Sequence, residues 1–232
     1  AVGCGASYTV IVKTDGSVWA CGKNEVGQLG NGGKHNSVNK DGFAIQTTPV
    51  KLSGLTARMK LPTAFYDVAA NAYYTEAAIW AIEKGITNGT NATTFSPEKV
   101  CTTGEILTFL WKAQNSPEPA ISNPFSDVAE SSYYYKAALW AYEKGLVSGS
   151  EFEANVSCTR SMTVTYLWKL AGSPTAGGNS FIDIPDSADY AEAVAWAVSR
   201  GITSGTGNNT FSPDTTCTRG QIVTFLYRDF AK

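Results

Sequence analysis

The stretch CTRGQIVTFLYR, residues 217–228, places a cysteine, a threonine and an arginine directly before an apolar run with helical spacing. Two similar stretches occur earlier, CTTGEILTFLW from Cys101 and CTRSMTVTYLW from Cys158. In the first and third copies the threonine is followed three residues later by Glu or Gln, a capping box that predicts the start of a helix. The residue after the threonine is not needed for this cap, so its purpose has to be sought elsewhere. That residue is Thr103, Arg160 and Arg219 in chain order.

Three of the five cysteines, Cys101, Cys158 and Cys217, recur at one position of this repeat. A small apolar residue before a helix cap packs against the first turn of the helix, so we expect these cysteines to be buried packing residues. Five cysteines cannot all pair within one chain, which argues against a disulfide framework. A zinc site is the weaker alternative, because no CxxC motif or nearby histidine accompanies them. No metal or cofactor is therefore expected.

Further matches precede each of these stretches and define three repeat units. We assign the units to residues 64–114, 123–171 and 179–232. Each unit is predicted to form a helix, a loop and a second helix, and the loop is shortest in the middle unit. A phenylalanine, an aspartate and a tryptophan mark the first half of every unit. They are Phe65, Phe125 and Phe181; Asp67, Asp127 and Asp183; and Trp80, Trp140 and Trp196.

The first helix of each unit carries the pattern Ala-x-x-Trp-Ala, which places two small residues and one large aromatic residue on a single stripe. Such a stripe lets a neighbouring helix approach closely, so we expect it to be buried. A glycine follows each helix at the position where a left-handed residue commonly ends a helix. These glycines are Gly85, Gly145 and Gly201.

Residues 1–57 follow a different pattern. YTVIVKTDGSVWACG contains two β-rich runs on either side of Asp15-Gly16, a dipeptide typical of a two-residue hairpin turn, and TPVKL from Thr48 is a further candidate strand. We therefore predict a small antiparallel sheet in residues 1–57 and a helical domain in residues 62–232. A lone sheet has open edges, so we expect it to pack on the helical domain or to pair with another chain. The expected contact residues are Val10, Val12 and Trp19.

Composition argues against several functions. The net charge is −2, from 18 basic and 20 acidic residues, which gives no polybasic surface for nucleic acid. No apolar run approaches the roughly 18 residues of a membrane span. His35 is the only histidine and lies in a glycine-rich loop, so no nucleophile and base can be assigned as a pair. No two acids are placed by the sequence across a cleft, and we do not expect an enzyme.

With these motifs identified, the three units resemble S-layer homology (SLH) modules of bacterial cell-surface proteins. The resemblance covers Ala64 to Lys232 and rests on four features in fixed order: Phe-x-Asp-Val/Ile, the Ala-x-x-Trp-Ala helix, the Gly-Thr…Thr-Phe-Ser-Pro loop, and Thr-Arg before an Ile/Val-rich helix. It implies a mainly α fold, a pseudo-threefold, three-lobed helical bundle with grooves between neighbouring units. It also implies non-covalent anchoring at the bacterial cell surface to secondary cell-wall polysaccharide, often through a pyruvylated terminal sugar.

The family's usual Thr-Arg-Ala-Glu motif is incomplete in this chain. Only the first unit keeps the glutamate, Glu105, and that unit lacks the arginine; the other two carry Met162 and Gln221. We therefore expect the three grooves to be unequal. The alternative is a structural or assembly module that has lost glycan binding.

The segment GASYTVIVKTDGSVWACGKNEVGQLGNG resembles one repeat of the regulator-of-chromosome-condensation propeller family, through its DGxVWxxGxNxxGQLG pattern. One repeat is too short for a closed propeller, because several blades must stack to form one. We interpret the segment as blade-like, either the tail of a propeller or a stray blade.

Arg160 and Arg219 are the leading candidates for ligand binding, from their position in the family motif. A guanidinium forms bidentate hydrogen bonds with a carboxylate or a pyruvate ketal, and the adjacent helix N-terminus also favours an anion. The alternative is a surface arginine that pairs with a nearby acid.

Two further sets of residues have both a binding and a structural interpretation. The repeated aspartates either orient the arginine and bind sugar hydroxyls, or cap a helix or turn. The repeated tryptophans either stack on sugar or belong to the core. These candidates are Asp67, Asp127, Asp183, Trp80, Trp140 and Trp196.

Overall fold

The computed structural model of the chain describes residues 2–13, 17–56, 65–178 and 180–231. Two compact units can be distinguished by their internal contacts. The sheet unit consists of Ala1–Ala64 with Ala69–Ala72, and the helical unit of Phe65–Val68 with Tyr73–Lys232. The boundary predicted between residues 57 and 62 lies outside the described residues.

The sheet unit contains an antiparallel five-stranded sheet with the strand order β1-β2-β3-β5-β4. The predicted sheet is thus confirmed, and its last long strand extends well beyond the predicted TPVKL. The strands are β1 (Val2–Cys4), β2 (Tyr8–Val12), β3 (Ser17–Lys23), β4 (Ser37–Val38) and β5 (Ala44–Thr56).

Strands β2 and β3 form the predicted hairpin, with Val12 opposite Val18. The predicted Asp15-Gly16 turn lies outside the described residues. The sheet buries a small core of its own, against which Val10 and Val12 pack. The buried residues of that core are Val18, Ala20, Leu29 and Leu52.

The edge strand β1 is exposed along its whole length. Trp19, another expected contact residue, donates a hydrogen bond from its indole to Ser17 and is covered by the ammonium of Lys13, 3.8 Å from its ring centroid. Pairing of this sheet with another chain stays a prediction, which light scattering on the chain with and without residues 1–57 would test.

The helical unit consists of three helix–loop–helix repeats, as predicted. Together with the five-stranded sheet they make a chain that is not plainly mainly α, although its helices contain more residues than its strands. Among the described residues, no helix is long and apolar enough to cross a membrane. The helices are α1 (Thr75–Glu83), α2 (Thr103–Ala113), α3 (Tyr135–Glu143), α4 (Arg160–Leu170), α5 (Ala191–Ser199) and α6 (Arg219–Phe230).

The second helix of each unit begins where the repeat predicts. Thr102 and Thr218 cap α2 and α6 in complete capping boxes with Glu105 and Gln221. Thr159 caps α4 through its side chain, which accepts from a backbone N–H without a reciprocal partner. The glycines that follow α1, α3 and α5 are left-handed, as predicted, with φ of 69°, 68° and 70°.

Within the helical unit, the three repeat units join in a closed cycle. Helices α2 and α3 contact each other, as do α4 and α5, and α1 contacts α6, so each unit packs its first helix against the second helix of the preceding unit. The cysteines close the same cycle through backbone hydrogen bonds. Cys101 N–H donates to Cys217, Cys217 donates to Cys158, and Cys158 donates to Cys101, at 3.0, 2.8 and 2.9 Å.

All three of these cysteines have no exposed surface and are free thiols, which confirms their predicted role as buried packing residues. Burial raises the pKa of both Cys101 and Cys158 to about 12. A thiol with such a pKa stays protonated at neutral pH and is a poor nucleophile. The cysteines therefore belong to the packing of the central junction.

Candidate functional site

Both arginines of the repeated motif are the first residues of their helices and lie between units. The backbone N–H of Arg160 donates to Thr215, and that of Arg219 donates to Lys99, so each helix start is fixed to the unit that follows in the cycle. Each arginine is only 4% exposed. Neither is the surface arginine of the alternative interpretation.

Arg160 lies against the third unit. Its Nε donates to the Phe211 carbonyl at 2.8 Å, and one Nη donates to the Thr203 hydroxyl at 3.2 Å. Its guanidinium carbon lies 4.8 Å from the ring centroid of Phe211 and 5.5 Å from that of Phe225. Burial lowers the pKa of Arg160. In the part of the chain that the structure describes, no carboxylate lies within ion-pairing distance of it.

Arg219 occupies the equivalent place against the first unit. One Nη donates to the Thr87 hydroxyl at 3.0 Å, and the other lies 3.7 Å from a carboxylate oxygen of Glu105. Its guanidinium carbon lies 5.7 Å from the ring centroid of Phe95 and 5.1 Å from that of Phe109. Its Nε is buried and has no hydrogen-bond partner among the described residues.

An open groove of about 490 Å³ lies in front of Arg219, which we call the Arg219 groove. The first unit supplies most of its wall, the third unit supplies the arginine, and the second supplies Tyr133. Three cations and one carboxylate face it. The cations are Arg219, Lys99 and Lys112, and the carboxylate is Glu105. The uncharged hydrogen-bonding residues of the first unit's wall are Thr87, Asn88, Thr90 and Thr108.

At the junction where the first unit faces the middle unit, other side chains stand in place of the arginine and its partners. Thr103 is buried, and its hydroxyl donates to the Val156 carbonyl at 3.2 Å. Val147 stands at the sequence position of Thr87 and Thr203, and Tyr166 replaces the phenylalanine. Burial raises the pKa of Tyr166, while the Thr103 side chain acts in the opposite direction. We call this the Thr103 site, and no described residue of it is a buried cation.

The three repeated aspartates hold the loops that form these sites. Asp183 accepts the backbone N–H groups of Phe211 and Ser212 at 2.8 and 2.7 Å, one on each carboxylate oxygen. Although burial alone would raise it, these hydrogen bonds lower the pKa of Asp183. Because Phe211 in turn accepts from Arg160, Asp183 positions the arginine through one residue. Asp67 and Asp127 accept from Phe95 and Ser96 and from Phe152 and Glu153 in the same way.

The repeated tryptophans pack between helices. Trp140 and Trp196 are buried, with 1% and 7% of their surface exposed, on the small-residue stripe of their helices. Trp80 is half-buried, and its ring packs edge-on against Tyr227 of α6 at 5.7 Å. Among the described residues that line the Arg219 groove, none is a tryptophan.

Several residues of the sites were not among the sequence candidates. Thr87 and Thr203 accept from the arginines, and the phenylalanines of loop and helix flank each guanidinium. The sequence does contain a signal for these two threonines. A threonine stands two residues after the glycine that ends the first helix of a unit wherever the unit facing it has kept its arginine. Val147 replaces this threonine in the unit that faces Thr103.

Comparison with protein families agrees with this architecture. The S-layer homology domain profile matches residues 64–106, 124–161 and 180–223, which together make up more than half of the chain. Two profiles of the regulator of chromosome condensation (RCC1) repeat match residues 15–77 and 1–28. Both resemblances drawn from the sequence are thereby confirmed. Both families are non-catalytic modules.

Two curated proteins are similar to this chain in alignments of 151 positions that cover 61% of the chain. One is the exoglucanase XynX of Acetivibrio thermocellus, at 29% identity, and the other is the amylopullulanase of Thermoanaerobacterium thermosulfurigenes, at 28%. The similar region spans only 14% and 8% of those proteins.

Proposed function

We propose that this chain, which belongs to the S-layer homology domain family, anchors a bacterial surface protein non-covalently to secondary cell-wall polysaccharide. Membership of the S-layer homology family indicates attachment at the bacterial cell surface or cell wall. The polysaccharide, and a pyruvylated sugar as the group recognised, are the parts that we propose. The similarity to two enzymes covers too little of them to carry their activities over.

The observation that carries the proposal is the burial of Arg160 without a carboxylate beside it among the described residues. A guanidinium that is 4% exposed and has no carboxylate within ion-pairing distance among the described residues is costly to keep in a folded protein. Its helix start adds further positive potential. Both features favour a bound anion from outside the chain, and a carboxylate on the wall glycan has the matching geometry.

The arrangement of the units also supports the proposal. We infer a pseudo-threefold bundle of three lobes from the cycle of hydrogen bonds through Cys101, Cys158 and Cys217. Such a cycle creates three equivalent inter-unit positions for the residue after the capping threonine. Two of these positions hold arginine and one holds threonine. We therefore propose two glycan-binding grooves and one junction that only packs the units together.

The competing function is a structural or assembly module. It is favoured by the Thr103 site, where three side chains differ together from the arginine sites: Thr103, Val147 and Tyr166. This set shows that a junction between units can be built without a ligand-binding cation. If all three junctions only hold units together, the chain should not bind wall glycan at all.

Co-sedimentation with purified sacculi separates the two functions. We expect the chain to sediment with sacculi of Acetivibrio thermocellus and Thermoanaerobacterium thermosulfurigenes, and to stay in solution once acid extraction has removed their attached polysaccharide. Bovine serum albumin is the control for trapping. Equal sedimentation with extracted sacculi would show that peptidoglycan is the ligand, and absence of sedimentation with either preparation would favour the assembly module.

A further inference from the structure

Arg160 and Arg219 stand at equivalent positions but make different hydrogen bonds. Nε of Arg160 donates to the loop carbonyl of Phe211. Nε of Arg219 finds no partner in the part of the chain that the structure describes, and so makes no bond with Phe95, the equivalent loop residue. The guanidinium of Arg160 lies 4.8 Å from its loop phenylalanine, and that of Arg219 lies 5.7 Å from Phe95. Arg219 is therefore shifted away from its loop and towards the facing helix.

The facing helix explains this shift. Its third residue is Glu105 in the Arg219 groove and Gln221 at the equivalent position facing Arg160. Each side chain uses one oxygen to accept the N–H of its capping threonine, at 3.1 and 3.0 Å. Because the capping geometry is the same, we expect the second polar atom to point the same way in both. That atom is a carboxylate oxygen in Glu105, 3.7 Å from Arg219, and an amide N–H₂ donor in Gln221.

We propose that this third helix residue decides which groove takes the acidic group of the ligand. A carboxylate that binds at Arg160 meets the guanidinium of Arg160 and the amide donor of Gln221. In front of Arg219 it meets a guanidinium whose neighbour is already an acceptor, which suits a sugar hydroxyl better than an anion. The inference rests on the proposed glycan function and assigns the anionic end of the glycan to Arg160.

Net charge does not account for the difference. Lys99 forms an ion pair with Glu105 at 2.6 Å and offsets its charge, and hydrogen bonds to both Lys99 and Thr102 lower the pKa of Glu105, although burial alone would raise it. A second cation stands at the same position in both units, Lys112 in the first and Arg228 in the third. The two sites thus differ in the kind of hydrogen-bonding group beside the guanidinium, a carboxylate oxygen against an amide N–H₂.

Exchanging the two residues tests the proposal, because glutamate and glutamine both complete the capping box. Each groove is isolated with Arg219→Gln or Arg160→Gln, and affinity is measured by calorimetry for a methyl glycoside that carries a pyruvate ketal. We expect the Arg219→Gln chain to bind this probe about tenfold more tightly than the Arg160→Gln chain. Adding Gln221→Glu to the former should weaken binding about tenfold, and adding Glu105→Gln to the latter should strengthen it by a similar factor.

Two controls make the outcome decisive. The methyl ester of the probe removes the charge and should bind both single-groove chains equally. Lys99→Met should alter binding to the Arg219 groove less than Glu105→Gln does, and a larger effect of Lys99 would overturn the proposal in favour of net charge. Equal affinities of the two single-groove chains, or exchanges without effect, also overturn it. Binding of the parent to intact sacculi without any binding of the probe overturns it too, while leaving wall anchoring in place.

Discussion

Replacing both Arg160 and Arg219 with glutamine should reduce the affinity for purified, released wall polysaccharide more than any other pair of substitutions. Each charge-assisted hydrogen bond to an anion contributes roughly 1.5–3 kcal/mol, or about ten- to a hundredfold in affinity. Two linked grooves also bind with avidity, so loss of one is partly hidden and loss of both is not. Calorimetry with the released polysaccharide, on the two single variants and the double variant, measures this directly. The Arg160 variant should lose more than the Arg219 variant.

The control for this experiment has to separate binding from folding. Both arginines are buried and hydrogen-bond across units, so their loss also removes contacts that hold the bundle together. Glutamine keeps a donor at each site, and circular dichroism should show an intact helical unit. Lys144→Gln removes a positive charge from an exposed helix end and should leave binding unchanged. A folded double variant that binds like the parent would show that the arginines do not bind the glycan.

In the helical unit, a large effect on stability is expected from two loop glycines, Gly89 and Gly205. At Gly205 an added Cβ would lie 2.5 Å from the Thr210 carbonyl oxygen and 2.6 Å from the Phe181 ring, and φ is +83°. Gly89 is confined in the same way by Thr94 and Phe65. We expect Gly205→Ala to lower the free energy of unfolding by about 3 kcal/mol, from left-handed backbone strain and overpacking together. Denaturant titration followed by tryptophan fluorescence measures it.

The middle unit supplies a matched control. Gly149 also has a positive φ, +94°, but an added Cβ there would meet no atom within 4 Å. Gly149→Ala should therefore cost only the backbone strain, about 1 kcal/mol. If Gly149→Ala destabilises the chain as much as Gly205→Ala, steric confinement of the longer loops is not what fixes their conformation.

Local features of the fold were predictable from the sequence because they depend on neighbours in the chain. The capping boxes of Thr102 and Thr218, the left-handed glycines after each first helix, and the buried cysteines all involve residues a few positions apart. The β hairpin belongs to the same class. Repetition strengthened the predictions for the helical unit, since the same pattern recurs in its three repeats.

The composition of the grooves was not predictable in the same way. Arg160 meets a loop of the third unit and Arg219 a loop of the first, so the direction in which the units close into a cycle decides which residues meet. A repeat pattern is compatible with either direction. The sequence does not decide the role of Asp183 for a related reason, because its partners Phe211 and Ser212 lie in a loop far along the chain.

A crystal structure of the chain with an oligosaccharide released from the wall polysaccharide tests the central claim most directly. The account predicts a carboxylate oxygen of the glycan within hydrogen-bonding distance of the Arg160 guanidinium, with sugar hydroxyls in front of Arg219 and no glycan at Thr103. A glycan seated at Thr103 or on the β-sheet, with both arginine grooves empty, would contradict it.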